Sequence, residues 1–256
     1  MSDEKYFYCF IKCPREREFA VDGIGGAGNR VYAINYLDLA AVVSDSPNVR
    51  EYKLNRENTA RHELVLGKVL EDFTVLPVGF GTVTKNAEEI KEKVLKKNYE
   101  ELHQLLDEMD GKVELTLKAL WKDNRIIHQE VLKADPGIKN RLNKMMSTSK
   151  KKELSQVILS STKLGERLVQ AIDKIKKIKT DEILTSIKDV ALDMRFKKAF
   201  TPLMIFNAAF LINRDKEEEF DRKVNELDQI YGKDIKFIYT GPLAPYSFVN
   251  FRIALE

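Results

Sequence analysis

Val113, Leu115, Leu117, Ala119 and Trp121 alternate with Lys112, Glu114, Thr116 and Lys118. A period of two, apolar on one side and charged on the other, is the signature of a strand buried on one face. Such a strand needs paired neighbours and a cover for its apolar side, so it commits the second half of the chain to a sheet. Leu203 to Ile212 is the other strong constraint. This nearly unbroken apolar run after Pro202 suits a strand buried on both faces, and is about half the roughly 20 residues of a membrane span.

The remaining elements are read around these two. Tyr6 to Ile11, Arg30 to Tyr36 and Ala40 to Ser44 are strands, the last two separated by a turn at Leu37, Asp38 and Leu39. A helix from Asn55 to Asp72 gathers Val65, Leu66, Val69 and Leu70 on one face. Thr74 to Thr84 supplies one or two short strands, and Asn86 to Met109 is an amphipathic helix closed by Asp110-Gly111. A composition shift there sets an expected boundary between domains 1–110 and 111–256. From Ser149 to Met194 the chain reads as helical, with Leu154, Ile158, Leu168, Ile172 and Ile175 near heptad spacing and a break at Thr180-Asp181. Asp215 is expected to cap a helix striped by Phe220, Val224, Leu227 and Tyr231 and ended by an αL Gly232. Strands Ile235 to Thr240 and Ser247 to Leu255 flank the turn Gly241-Pro242-Leu243-Ala244-Pro245. The second half is then β, long α, β, α, β, β, a variation on the ferredoxin-like plan with a long helical insertion. The fold class is α+β in two domains.

Charge narrows the function. The 256 residues carry 43 Lys plus Arg against 40 Asp plus Glu, a net of +3, too even for a dedicated nucleic-acid or membrane-surface binder. MSDEK is not a cationic segment leading into an apolar one, so no signal peptide is visible and an intracellular protein is expected. The patches Lys150-Lys151-Lys152 and Lys174 to Lys179 contain no aromatic residue for stacking on bases. Phe237 and Tyr239 fall on the opposite face from Lys236, which argues against RNA binding on the sheet.

No constellation for catalysis emerges. Gly23-Ile24-Gly25-Gly26-Ala27-Gly28 matches G-x-G-x-x-G, and a nucleotide-binding enzyme using it is the alternative reading. A dinucleotide site, however, opens a helix after the turn, whereas Arg30-Val31-Tyr32-Ala33-Ile34 is a β-type run. Cys9 and Cys13 on an extended segment lie too far apart for a shared metal or a disulfide, and are read as buried thiols. His62-Glu63 begins like a zincin helix, but Leu66 stands where the second ligand belongs, so His62 is read as structural. No cofactor and no metal are expected.

Three segments carry a resemblance. They are Asp38-Leu39-Ala40-Ala41-Val42-Val43-Ser44-Asp45-Ser46-Pro47 with the following His62-Glu63; Thr74-Val75-Leu76-Pro77-Val78-Gly79-Phe80-Gly81-Thr82-Val83; and Thr240-Gly241-Pro242-Leu243-Ala244-Pro245-Tyr246-Ser247-Phe248-Val249. In this order, from Tyr6 to Ile253, the chain resembles the gas vesicle protein F/L family. It departs at Leu243 and Ala244, where the family commonly has Trp then Pro, and at Gly79, where Arg is frequent. The resemblance implies two α+β domains and a non-enzymatic accessory or minor structural role in gas vesicles. The implied partners are the small, very apolar shell subunit and other accessory proteins, bound in the cytoplasm during nucleation so that the subunit does not aggregate prematurely. The residues offered as partner contacts are Pro77, Phe80, Thr82, Pro242, Leu243, Pro245, Tyr246 and Phe248, with a purely structural role for most of the C-terminal ones as the competing reading.

Overall fold

The structure, a computed structural model, describes residues 4–46, 51–138, 140, 162–251 and 253. It is a mixed α+β fold with two sheets among the described residues. The chain divides into two compact units. Unit 1 gathers Met1–Leu115, Leu211–Asp215 and Thr240–Glu256; unit 2 gathers Thr116–Phe210 and Lys216–Tyr239.

Unit 1 is built on a sheet of order β2-β3-β4-β1-β5, with β6 also on β1. The strands are β1 (Lys5–Lys12), β2 (Glu18–Asp22), β3 (Arg30–Tyr36), β4 (Leu39–Asp45), β5 (Leu76–Pro77) and β6 (Val83–Thr84). β1 and β4 are antiparallel from Lys5↔Asp45 to Lys12↔Leu39, with a register shift between Phe7 and Cys9. Every residue from Tyr6 to Ile11 is at most 1% exposed, so β1 is covered on both faces. Helix α1 (Arg56–Leu70) buries His62, Val65, Leu66, Val69 and Leu70, and starts where the Asn55 side chain accepts from the Asn58 N–H. After Asn86, which accepts from Glu89 N–H, α2 (Ala87–Glu89) runs into a π-helical stretch, Ile90–Lys96, and then α3 (Tyr99–Glu108).

The second sheet has the order β10-β7-β9-β8, from β7 (Lys112–Trp121), β8 (Asp193–Phe196), β9 (Met204–Asn213) and β10 (Ile235–Leu243). The helices of this half are α4 (Asn124–Ala134), α5 (Thr162–Thr185) and α6 (Glu217–Tyr231). β9 is buried from Met204 to Ile212, as its composition requires. α6 buries Phe220, Val224 and Leu227, and Phe220 stacks on Tyr239 with ring centroids 5.8 Å apart.

Several expectations are corrected. The single helix Asn86 to Met109 is three consecutive pieces. No break occurs at Thr180-Asp181: neither residue is Gly or Pro, and a Lys179–Glu182 pair at 2.8 Å spans the point. The helix does stop at Thr185, and Met194 lies in strand β8 instead; Leu154, Ile158 and the Lys150 patch lie outside the described residues. Asp215 does not take the cap position, since it sits in a 3-10 turn, Arg214–Lys216; Lys216 takes it, with no side-chain capping bond, and its Nζ pairs with Glu219 at 3.0 Å instead. Gly232 is right-handed, φ −63°. β10 runs past its expected end at Thr240, through Gly241 and Pro242 to Leu243, into the expected turn. Gly241 has φ +155°, and a Cβ there would stand 2.4 Å from Leu115 Cδ2, so only glycine fits. The expected strand Ser247 to Leu255 is not formed over its described residues: Tyr246 to Phe248 is a turn, and the N–H groups of Phe248 and Val249 are already bonded to Pro245 O; Arg252, Ala254 and Leu255 lie outside the described residues. β7 departs from strict alternation: Glu114 and Thr116 are buried too. Elements β2, α4 and β8 have no counterpart in the sequence reading.

Two glycines make opposite predictions. A Cβ on Gly23 would stand 2.7 Å from Ser44 Oγ and 2.8 Å from the Tyr8 hydroxyl oxygen, so Gly23→Ala should cost about 1–3 kcal/mol. Gly67, exposed in the middle of α1 with nothing within 4 Å, should gain about 0.5–1 kcal/mol as Gly67→Ala. Paired urea melts check both signs.

Candidate functional site

All three resembling segments contribute to unit 1, and the second and third meet at a buried histidine that belongs to the first. α1 lays His62 against Tyr6 and Tyr8 of β1, with ring centroids 5.7 and 5.5 Å away, and Phe80 and Tyr246 close the cage. His62 is 1% exposed. Its Nδ1 lies 2.9 Å from the Tyr6 hydroxyl and its Nε2 lies 2.5 Å from the Tyr246 hydroxyl.

The proton directions follow from the ends of this chain. Gly81 N–H donates to the Tyr6 oxygen at 2.9 Å, and Tyr246 O–H donates to Val78 O at 3.3 Å. Tyr6 therefore gives its proton to Nδ1, and Nε2–H gives its own to Tyr246. A neutral imidazole has one acceptor and one donor nitrogen, so each is used once. Burial disfavours the imidazolium and pushes the His62 pKa down to about 4. Burial likewise lifts the phenols of Tyr6 and Tyr246 above their ordinary range, and that of Tyr8 to about 12.

A second anchor holds the same C-terminal turn. The buried Glu114 carboxylate accepts from Ser247 N–H at 2.7 Å and from Ser247 O–H at 2.9 Å. Phe251 packs edge-on against Phe10 at 5.4 Å. The turn is thus fixed by polar bonds at Tyr246 and Ser247 and by aromatic contact beyond them.

Against this geometry the contact residues sort by exposure. Pro242 is exposed, while Pro77, Phe80, Thr82, Leu243 and Tyr246 are half-buried. Pro245 and Phe248 are buried. Thr82 donates its hydroxyl to Gly79 O at 2.7 Å within its own turn. His62 was legible as structural, but its partners were not: Tyr6 and Tyr246 are 56 and 184 residues away in sequence.

The other candidates resolve simply. The Gly23–Gly28 loop joins antiparallel strands β2 and β3, and Gly23 N–H donates to Asn29 O at 2.7 Å. Ile24 N–H donates to the Tyr8 hydroxyl. No helix begins there, so the arrangement a pyrophosphate uses is not formed by this loop. Cys9 and Cys13 are free and buried. Among the described residues no group of three or more His, Cys, Asp and Glu is placed to hold a metal ion, and no helix is long and apolar enough to cross a membrane.

The family model for gas vesicle synthesis protein GvpL/GvpF matches residues 4–250. This chain belongs to the GvpL/GvpF family. It is 27% identical to gas vesicle protein F of Haloferax mediterranei, over 100% of this chain and 98% of that protein. It is 29% identical to gas vesicle protein F2 of Halobacterium salinarum, over 98% of this chain and 94% of that one. The crystal structure of GvpF from Microcystis aeruginosa superposes with a TM-score of 0.80 at 25% identity, covering 98% of this chain and 100% of that one. With a GvpL/GvpF chain, the His62 cage reads as the joint that fixes two of the resembling turns.

Two measurements check this joint. Tyr246→Phe leaves His62 Nε2–H and Val78 O without their hydroxyl partner and should cost about 1–3 kcal/mol in a denaturant melt. His62 also makes stability depend on pH. Below about 6.5 the unfolded histidine takes a proton that the folded one refuses until about pH 4. Stability is therefore full above the first value and falls by about 3 kcal/mol as pH drops to the second. The difference between wild type and His62→Gln across that window isolates this contribution.

Proposed function

We propose that this chain is a non-catalytic accessory or minor structural protein of gas vesicles that binds the small hydrophobic shell subunit and other accessory proteins during nucleation. By covering the subunit's apolar surface it holds back premature aggregation. The match of the GvpL/GvpF model over residues 4–250 is the observation that carries this reading. The groups that resemble catalytic ones support it from the other side. His62 has both nitrogens in hydrogen bonds, and the glycine loop closes a hairpin. The relatives named above are called gas vesicle proteins.

The physical problem is one of apolar strands. A subunit that assembles edge to edge is an aggregation hazard while free, and a binder relieves it by pairing an edge or covering a face. The working place is then the cytoplasm, at the growing vesicle. The turns at Pro77–Thr82 and Pro242–Phe248 serve as partner contacts, with exposed Pro242 and half-buried Leu243 touching directly and buried Pro245 and Phe248 holding the shape. The element order β7, helices, β8, β9, α6, β10 and the strand order β10-β7-β9-β8 support a modified ferredoxin-like plan for the second half. The expected boundary at 110/111 belongs to the same proposal.

The test is direct. Shell subunit diluted from denaturant should scatter light rapidly alone. With an equimolar amount of this protein the scattering should fall several-fold, and the two should co-purify. Unchanged scattering together with no co-purification overturns the reading.

A further inference from the structure

Residues 192–202 of unit 2, Leu-Asp-Met-Arg-Phe-Lys-Lys-Ala-Phe-Thr-Pro, are an exposed apolar and cationic ribbon whose first three residues the sequence reading puts at the end of a helix. Leu192 is 52% exposed, Phe196 60% and Phe200 72%. Large aromatic side chains left in water at this density mark a contact surface more often than an accident of folding. Counted along the ribbon alone, Arg195, Lys197 and Lys198 against Asp193 give three positive charges less one negative, a formal +2, with Arg195 3.7 Å from Asp193.

The backbone adds direction. β8 is the outermost strand of the order β10-β7-β9-β8, so among the described residues one of its edges has no strand beside it. Lys197 N–H donates inward to Asn207 O on β9 at 2.7 Å. Backbone groups alternate along a strand, which turns those of Met194 and Phe196 to the outer edge. Met194 N–H is taken by its neighbour Asp193 at 2.7 Å, so the edge opens at Phe196. Beyond it, Asn207 Nδ2 donates to Lys198 O at 3.1 Å and fixes the path of the ribbon. A held backbone with protruding phenyl rings loses little entropy on binding.

We propose that β8 and the ribbon that follows it are the dock for an extended, carboxylate-bearing apolar segment of the shell subunit. That segment lies along the outer edge of β8 from Phe196, with Phe196 and Phe200 against its apolar side and Lys197 and Lys198 opposite its carboxylates. The inference rests on the reading of the chain as a shell-subunit binder. A single-stranded RNA or an anionic lipid surface would use the cations and rings but leave the strand edge idle, so a protein strand accounts for more of the observations.

The experiment compares binding of immobilised shell subunit by the wild type, Phe196→Ser/Phe200→Ser, Lys197→Glu/Lys198→Glu, and Ile230→Ser as a control on exposed α6. Unchanged circular dichroism and melting confirm that each variant folds. The serine pair should weaken binding at least about tenfold. The charge reversal should also weaken it, by a factor that shrinks with added salt, and Ile230→Ser should leave it unchanged. If the wild type binds and both double variants bind equally well, the dock is elsewhere while the function stands. A wild type that ignores the shell subunit overturns the function and this dock with it. Poly(U) or phosphatidylserine vesicles, run alongside, overturn the proposal if they bind more tightly than the subunit and the serine pair abolishes that binding.

Discussion

The hydrogen-bond chain Gly81 N–H, Tyr6, His62, Tyr246, Val78 C=O is the constraint on which unit 1 depends. It starts and ends in one short turn and passes through the first strand, the first helix and the C-terminal segment. Each member has one way to satisfy its donors and acceptors, so the direction of every proton is set by the two backbone groups at the ends. A buried polar group without a partner is expensive. An arrangement in which any one element slips therefore strands several such groups at once. Apolar packing around the cage would tolerate small displacements; the relay does not.

Glu114 extends the same logic to a charge. The alternation of β7 assigns it to the solvent face, yet it is 1% exposed and receives both donors of Ser247. Charge-assisted bonds of this kind are stronger than neutral ones and compensate part of the desolvation. Their effect is positional. Once Ser247 N–H belongs to Glu114 and the next two amides belong to Pro245, the segment has no donors left for a ladder. A run of residues with good β propensity, Ser247-Phe248-Val249, is a turn for that reason.

What could be read from the sequence was what local patterning controls. Arg30 to Tyr36 matches β3 to the residue, the helix read from Asn55 does begin there with Asn55 as its cap, and the apolar run at Leu203 to Ile212 is a buried strand. What could not be read depends on distant partners. β2 exists because β3 offers it an edge, with a register shift between Phe19 and Asp22. β8 is only four residues, Asp193-Met194-Arg195-Phe196, too short for its alternation to stand out in the sequence, and it is a strand because β9 lies beside it. The site divided in the same way. His62 was legible as structural, since the zincin pattern stops at Leu66, but the tyrosines that hold it are adjacent only in the fold. The exposure of Phe196 and Phe200 was equally invisible, because it is set by how the neighbouring strands are placed and by nothing local.

Two of the outer strands, β2 and β8, show how differently an edge can be treated. β2 is broken in register, ends in Asp22, and carries Glu18, which pairs at 3.7 Å with Arg30 on β3. Charge and irregularity of this kind are how a sheet discourages further pairing. β8 has a partial version of the device: Asp193 blocks the Met194 amide at one end. Toward the other end the protection stops, and the next apolar side chains are phenylalanines in solvent. A chain selected only against self-association would continue the charges through Phe196 and Phe200. One selected to receive another strand leaves that end open, and blocks the other to fix where the incoming segment begins.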